Sequence, residues 1–331
     1  MRFFHSIFSN DTSAGNYPES LIKKAVERAV DGTDPWIRAV SGYKKKLRPA
    51  VVRAINYVVA LVDDMAPPIV VEHDIYGRDP KLRTFFISNN DMQKILSSDK
   101  NLTDFQHGQT VALPRIFALL AMEKQEKILL GSEMSGDIIQ HDVAHVAVSF
   151  EGHRLLDLAT DEIDTRRQLK RRAFDHLLKR ALGRIAIVKT ERGKLERHRT
   201  LLHSKLDLLQ RGGWGFDKTS TVENLDVDGL EELLSRIETE LLKLGGDDRM
   251  LEVYLGIVIE VLARPEEHLW ARKETLIVDR MGIKRSKADS DLPEVTIDII
   301  SNDDRQNFVV SLIALPSDFH EKQTIQPRQS S

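Results

Sequence analysis

The chain has 331 residues, of which 41% are hydrophobic and 30% charged, so it can bury a sizeable core and is long enough for two domains. It contains no cysteine, which excludes disulfides, thiolate nucleophiles and cysteine-based metal sites and favours a reducing compartment. The sequence shows no secretory signal and no apolar run that could span a bilayer, so we expect a cytoplasmic protein without a transmembrane segment.

The first third of the chain predicts a helical unit. Residues 1–16 are mostly polar and predict a flexible N-terminus, and Asp34-Pro35 is a helix start signal. Apolar residues between Leu47 and Met65 recur at the spacing of a buried helical stripe. A further helix is expected from Pro114 to Ala121. Together these signals predict a helical N-terminal unit over residues 17–126.

Two separated regions predict β structure. Val146, Val148 and Phe150 alternate with smaller or polar neighbours, which favours three short antiparallel strands within residues 127–158. The same alternation recurs within residues 274–315, and a polar, flexible tail is expected over residues 316–331. We therefore predict an α+β, mostly helical protein. Its small antiparallel sheet is assembled from the two β segments, with residues 162–264 inserted between them.

The inserted segment predicts a long antiparallel helical hairpin of coiled-coil type, because its apolar residues follow two heptad patterns. The first pattern has d positions at Phe174, Ala181, Val188, Leu195, Leu202 and Leu209, and a positions at Leu178, Ile185, Arg192, Arg199 and Leu206. The second pattern runs through Val227, Leu230, Leu234, Ile237, Leu241 and Leu244. A glycine-rich stretch around Gly212 separates the two helices. A third apolar stripe from Met250 to Val261 predicts a helix that packs on the hairpin before Pro265.

Charge is distributed unevenly over the two arms of this hairpin. Between Asp164 and Arg211 there are 15 Lys/Arg and 5 Asp/Glu, a balance of +10 in a chain whose total is −3. The apolar stripe formed by each heptad pattern is called its seam. The first seam is about 47 Å long and the second about 26 Å at 1.5 Å per residue. A basic section around residues 165–184 is therefore expected to pack on the rest of the chain, on another protomer or on an anionic partner. The candidate contact residues in that section are Arg166, Arg167, Lys170, Arg171, Arg172, Lys179 and Arg180.

Three interpretations of the basic helix compete. The simplest is a solvated face whose bases are paired with acids of the same chain. The second is oligomerisation through the heptad seam. The third is sequence-independent binding of a phosphate backbone, with Trp214 and Phe216 in the loop stacking on bases. The pI near 6.4 and the spread of the bases around the helix argue against the third.

His141 and His145 are weak candidates for a metal site. On a helix they would share a face and could bind one ion, but on a strand they would be about 13 Å apart. Because the region is predicted as strand, we expect no metal and no other cofactor. No phosphate-binding or nucleophile motif occurs in the chain either. A metal-dependent enzyme around His141 and His145 is therefore only the third functional hypothesis.

The leading hypothesis is a non-enzymatic interaction or scaffold protein that uses the hairpin to bind a protein partner or a second copy of itself. A nucleic-acid-associated protein that binds through residues 165–184 is the alternative.

Overall fold

The computed structural model describes residues 17–72, 75–108, 114–135, 138–210, 227–245, 249–279, 281–285, 292–317 and 319. The helices within these residues are α1 (Glu19–Asp31), α2 (Tyr43–Asp63), α3 (Pro80–Phe85), α4 (Asn89–Ser97), α5 (Lys100–His107), α6 (Glu162–Gln210), α7 (Val227–Lys243) and α8 (Met250–Ala263). The strands are β1 (Ile69–Val70), β2 (Arg115–Ser135), β3 (Ile138–Ala159), β4 (Leu269–Leu276), β5 (Val295–Asn302) and β6 (Asn307–Pro316). Short 3-10 helices lie at Pro35–Ala39 and Pro265–Glu267.

One sheet unites the two β segments, as predicted. Its strand order is β3-β2-β6-β5-β4, and all neighbours in this path are antiparallel. The two-residue strand β1 adds parallel to β6. The 49-residue helix α6 follows β3, and α7 and α8 precede β4. The predicted α+β class, with a sheet from separated segments and a long helical insertion, is confirmed.

The first β segment differs from the prediction in length and in where it begins. Residues 115–121 form strand, not the helix expected from Pro114 to Ala121, and β2 and β3 are two long strands, not three short ones. Leu119, Leu120 and Ala121 are all buried, so both faces of β2 are covered there, while β3 and β6 pair with its two edges. A strand covered on both faces has a continuous apolar run, which periodicity cannot distinguish from a buried helix.

Three bulges interrupt the β2–β3 pairing, and each places its extra residue on β3. The register shifts lie between Phe117 and Leu119, between Ala121 and Glu123, and between Gly131 and Glu133 on β2. Opposite these shifts, Asp157, Gly152 and Asp142 have φ values of 53°, 65° and 59°. Glu151-Gly152, which in the sequence resembles a turn between strands, is therefore a bulge inside one strand, with glycine in the left-handed region.

The segment after β4 returns to β3 and links the two ends of the sheet. The amide of Val148 donates to the carbonyl of Gly282 at 2.8 Å, and the amide of Lys284 donates to the carbonyl of Val146 at 2.8 Å. The buried cluster inside this arrangement contains Leu120 and Met122 of β2 together with residues of β5, β6 and helices α3, α4 and α5. The apolar core face of this sheet is thereby covered by helices α3, α4 and α5.

Local sequence signals explain most helix boundaries. Asp34 caps the helix at Pro35–Ala39 by accepting from the amide of Trp36, and Asp79 and Asp99 cap α3 and α5 in the same way. The stripe predicted between Leu47 and Met65 is the buried face of α2, where Val51, Ile55, Val58 and Val62 are all buried.

The described chain forms two compact units. Unit 1 contains the described residues of 56–173 and 266–319, including the whole sheet, and unit 2 contains those of 17–55 and 174–265. Helices α2 and α6 contribute residues to both. The predicted domain boundaries at residues 17–126, 162–264 and elsewhere stay predictions. The expected flexible N-terminus and most of the expected tail fall outside the described residues.

Candidate contact surface on the helical hairpin

The predicted heptad seam is the place where α6 and α7 pack. Leu202 and Leu206 of α6 form one buried cluster with Leu230, Ile237 and Leu241 of α7. Leu195 and Leu234 are partly buried at its edge. These residues occupy the a and d positions predicted from the sequence, so each helix buries the stripe that its spacing indicates. Coiled-coil geometry itself stays a prediction.

Arg192 shows that the two helices run antiparallel. Its guanidinium donates to the carbonyl of Gly245, just after the end of α7, although Arg192 lies in the middle of α6. The same side chain donates to a carboxylate oxygen of Glu196 at 2.6 Å and is only 12% exposed. An arginine in a seam needs an acid or a free carbonyl to offset its desolvation, and Arg192 has both. Arg199, the other basic a position, is half-buried.

The rest of the seam in α6 is buried within unit 2. Phe174, Leu178, Ala181 and Ile185 are all nearly inaccessible. Beside them the Asp175 carboxylate accepts two hydrogen bonds from Arg28 of α1, in the bidentate geometry that arginine favours. The section that the sequence left without a partner therefore packs against the chain itself along its apolar stripe.

Four of the candidate basic residues are paired with acids in unit 1. Lys170 contacts Asp63 of α2 at 2.7 Å, and Arg172 makes two hydrogen bonds, at 2.6 and 2.8 Å, to the Asp157 carboxylate in a β3 bulge. Arg167 pairs with Asp164 one turn earlier on α6. Arg166 is the fourth, and it pairs with Glu162 at 2.7 Å.

Arg166 caps the C-terminal end of α2. Its guanidinium donates to the carbonyls of Val62, Met65 and Ala66 at 2.7, 3.2 and 3.3 Å, and to Glu162 at 2.7 Å. The last carbonyls of a helix have no partner within the helix and carry partial negative charge, so a cation there is stabilising. These four hydrogen bonds use four of the five N–H donors of the guanidinium.

The remaining candidates have different surroundings. Arg171 and Arg180 are half-buried and neither is free of interactions, whereas Lys179 is exposed. Trp214 and Phe216 lie outside the described residues. The bases that were predicted as a group thus do not form one open positive surface, because several are neutralised by acids that are distant in sequence.

The histidine candidates lie on β3, as predicted, rather than on a helix. The backbone of His141 belongs to the strand and its side chain is outside the described part of the chain. The ring of His145 lies over Gly131 of β2, where an added Cβ would meet it at 2.8 Å. Within the described residues, no three side chains of the metal-binding types come together.

His153 is a structural histidine that the sequence did not separate from the others. Its Nε2 lies 2.8 Å from the carbonyl of Phe85, and its ring stacks on Phe86 with centroids 4.7 Å apart. Burial lowers the pKa of His153, and this effect outweighs the opposing effects of the Phe85 carbonyl and the Asp91 charge. The neutral ring, donating from Nε2, therefore suits this position.

An ion pair in unit 2 between a buried acid and a half-exposed base was also missed. Asp34 is 3% exposed, and its second carboxylate oxygen contacts the ammonium of Lys189 at 2.6 Å. That ammonium lies 5.0 Å from the centre of the Tyr254 ring. Burial raises the pKa of the Tyr254 phenol, although the charge of Lys189 opposes the shift. The Asp34-Pro35 signal predicted the cap but gave no indication of a partner 155 residues away.

A pocket of about 260 Å³ in unit 1 has charged walls. Asp64, Arg272, Lys273 and Asp298 contribute to its lining. Lys273 contacts the Asp64 carboxylate at 2.8 Å, and hydrogen bonding to Asp64 raises the pKa of Lys273 despite partial desolvation. With two acids and two bases, the pocket offers a charge-balanced lining.

The outer face of α6 is one of the exposed parts of the described hairpin that carry large apolar side chains; Leu242 of α7 is another. Ile187 and Leu201 are 64% and 62% exposed. They are two heptads apart, so they lie on the same side of the helix, and Ile187 is rotated about 200° from the buried Ile185. Lys194 lies between them, also exposed, and pairs with Glu191. This outer face, defined by Ile187, Lys194 and Leu201, is the candidate contact surface.

Comparison of the chain with protein-family models, with curated proteins and with solved structures finds no match. Among the residues that the structure describes, no helix combines the length and apolarity needed to cross a bilayer.

Proposed function

We propose that this protein is a non-enzymatic interaction or scaffold protein whose contact surface is the outer face of the α6–α7 hairpin. The observation that supports the proposal is the exposure of Ile187 and Leu201 on the side of α6 opposite its buried seam. A helix that carries apolar residues on two opposite sides has one stripe for its own fold and a second that a partner can cover.

The kind of partner follows from the same face. Exposed apolar residues next to the exposed Arg197 suit an amphipathic helix with an acidic residue at its margin. The cysteine-free composition suits a reducing compartment, and we place the interaction in the cytoplasm.

The test compares partner capture by the full-length chain with capture by the variant Ile187→Glu/Leu201→Glu. Glutamate is a good helix former, so the double variant is expected to keep α6 folded. Ile87→Glu is the matched control, because Ile87 is 92% exposed but lies outside the hairpin. We expect wild type and control to retain the same partner and the double variant to lose it. A monomer by light scattering, with no partner captured by any form, would contradict the proposal.

Nucleic acid is the competing partner, and fluorescence anisotropy of labelled duplex DNA, single-stranded DNA and RNA at several salt concentrations tests it directly. Micromolar binding that weakens as salt rises, and that Lys179→Glu reduces equally for all sequences, would favour a phosphate-binding role. Absence of binding at low salt is the result we expect, because Arg166, Lys170 and Arg172 are already paired with acids.

A further inference from the structure

Strand β2 has an open backbone edge over half of its length. It pairs with β3 from Phe117 to Ser135, but on its other side β6 accompanies it only from Arg115 to Met122. From Glu123 onward, no described residue hydrogen-bonds to this second edge. Beyond this point the sheet narrows to β2 and β3, joined at Val146–Val148 by residues 282–284, and past Ile128 of β2 only two described strands remain. A ribbon of two strands is at best marginally stable in water and gains from a third strand.

The β2 edge is regular, whereas the β3 edge is not. All three bulges put their extra residue on β3, and the one nearest the ribbon tip has Asp142 in the left-handed region. Residues 282–284 pair with β3 at Val146–Val148. Bulges and covering segments are the devices that protect an edge from pairing with another chain. In the described chain both devices are found on β3, and the ribbon part of β2 is left open.

The middle of the open edge is apolar on both faces. Ile128, Leu129 and Leu130 are 75%, 49% and 70% exposed. Consecutive residues of a strand point to opposite faces, so no rotation of the ribbon hides all three. Ile128 and Leu130 have the same parity as the buried Leu120 and Met122, but the charged Lys124 and Glu126 lie between them, so the two form a separate exposed apolar patch beyond the core.

The sequence of this edge is self-complementary. When two copies of β2 pair antiparallel about a two-fold axis at Leu129, that residue faces its own copy, and Ile128 faces Leu130 in both directions. Lys127 then faces Gly131, which leaves room for its side chain and opposes no like charge. Apolar cross-strand pairs stabilise a sheet, whereas like charges in register destabilise it. Moving the axis to Ile128 would place Glu126 opposite Leu130 and lose an apolar pair.

We infer that the β2 edge, centred on Leu129, is a self-association site that takes a second copy of this chain by antiparallel strand addition. The product is a four-stranded ribbon in the order β3-β2-β2-β3, in which each protomer supplies one β2 and one β3. Main-chain hydrogen bonds supply the association energy, and the apolar triplet fixes the register. The site lies in unit 1 and is independent of the outer face of α6.

The absence of cysteine from the chain makes a crosslinking test specific. Opposed residues in an antiparallel pair have Cα atoms about 4.5–5.5 Å apart, within the range that a disulfide spans. Leu129→Cys is therefore expected to form a covalent dimer under mild oxidation, at a rate about tenfold above that of the exposed control Ile87→Cys. Ile128→Cys alone should crosslink poorly, because its copy is about 8 Å away. A mixture of Ile128→Cys and Leu130→Cys should crosslink readily.

Light scattering of the full-length chain gives the second readout. Wild type is expected to reach twice the monomer mass of 37.7 kDa as concentration rises, and Leu129→Glu, which opposes two like charges on the axis, should remain at the monomer mass. Circular dichroism is the control that checks whether this variant is folded. The inference is overturned if wild type stays monomeric, or if Leu129→Cys crosslinks no faster than Ile87→Cys. Loss of self-association in Leu129→Glu, with retention in Ile187→Glu/Leu201→Glu, separates this site from the hairpin.

Discussion

Replacement of Arg166 by alanine tests whether the basic start of α6 is a structural anchor. The guanidinium is 17% exposed and donates to the carbonyls of Val62, Met65 and Ala66 and to Glu162. Loss of a charged donor from buried acceptors costs about 1.5–3 kcal/mol, and loss of a cation at a helix C-terminus costs about 0.3–1 kcal/mol more. We therefore expect Arg166→Ala to lower the free energy of unfolding by roughly 2–4 kcal/mol.

Urea unfolding of the full-length protein, followed by far-UV circular dichroism, measures this loss. With an m value of about 2–3 kcal/mol/M, the midpoint should fall by about 1 M. Arg166→Lys keeps the charge but not the forked donors, so an intermediate loss is expected. Lys179→Ala is the control on the same helix, and its exposed side chain should make a difference within about 0.5 kcal/mol. An Arg166→Ala protein as stable as wild type would refute the capping role and leave Arg166 available to a partner.

Three further predictions concern buried groups. Because burial lowers the pKa of His153, the folded state binds fewer protons than the unfolded chain below pH about 6.5, so stability should fall as pH drops from 7.5 to 5. His153→Gln, which can still donate to Phe85, should flatten that dependence in thermal melts, and an unchanged slope would contradict the assignment. Asp34→Ala should cost about 1–3 kcal/mol, since it removes a helix cap and an ion pair whose acid is buried, and Asp34→Asn should cost less because it keeps the cap. Ile237→Ala in the seam should cost about 2–4 kcal/mol, whereas Leu242→Ala on the exposed side of α7 should be nearly neutral, and equal effects would argue against the packing of α6 on α7.

The parts of the fold that could be predicted are those with a local period. The seam of α6 and α7 follows a heptad, and each buried residue of the α7 seam is an expected one, such as Leu230 or Ile237. The α2 stripe and the cap at Asp34 were likewise visible, because capping needs residues only two or three positions apart. The helix expected at 114–121 was wrong because β2 is covered on both faces there and its alternation is lost.

The surroundings of the candidate site could be predicted less well, for a physical reason. Arg166, Lys170 and Lys189 have partners 100 or more residues away, and no local pattern indicates which acid a base will meet. For the same reason, the sequence does not indicate that an apolar strand is exposed. Ile128 to Leu130 resemble a buried strand in sequence, and only the end of β6 pairing at Met122 leaves their edge open.

The charge of α6 illustrates how far pairing can change an inference from composition. The segment from Asp164 to Arg211 has a balance of +10, but five of its bases contact acids outside it and one of its acids, Asp175, contacts Arg28, so these partners change the local balance to +6. Opposite charges within 4 Å act on distant groups as a dipole, whose field decays faster than that of a single charge. A polyanion that bound residues 166–172 would have to displace carboxylates that also position β3 and α2. The apolar outer face of α6 offers a partner a surface that costs the fold no such contacts, and for that reason we favour it over the basic section as the site of recognition.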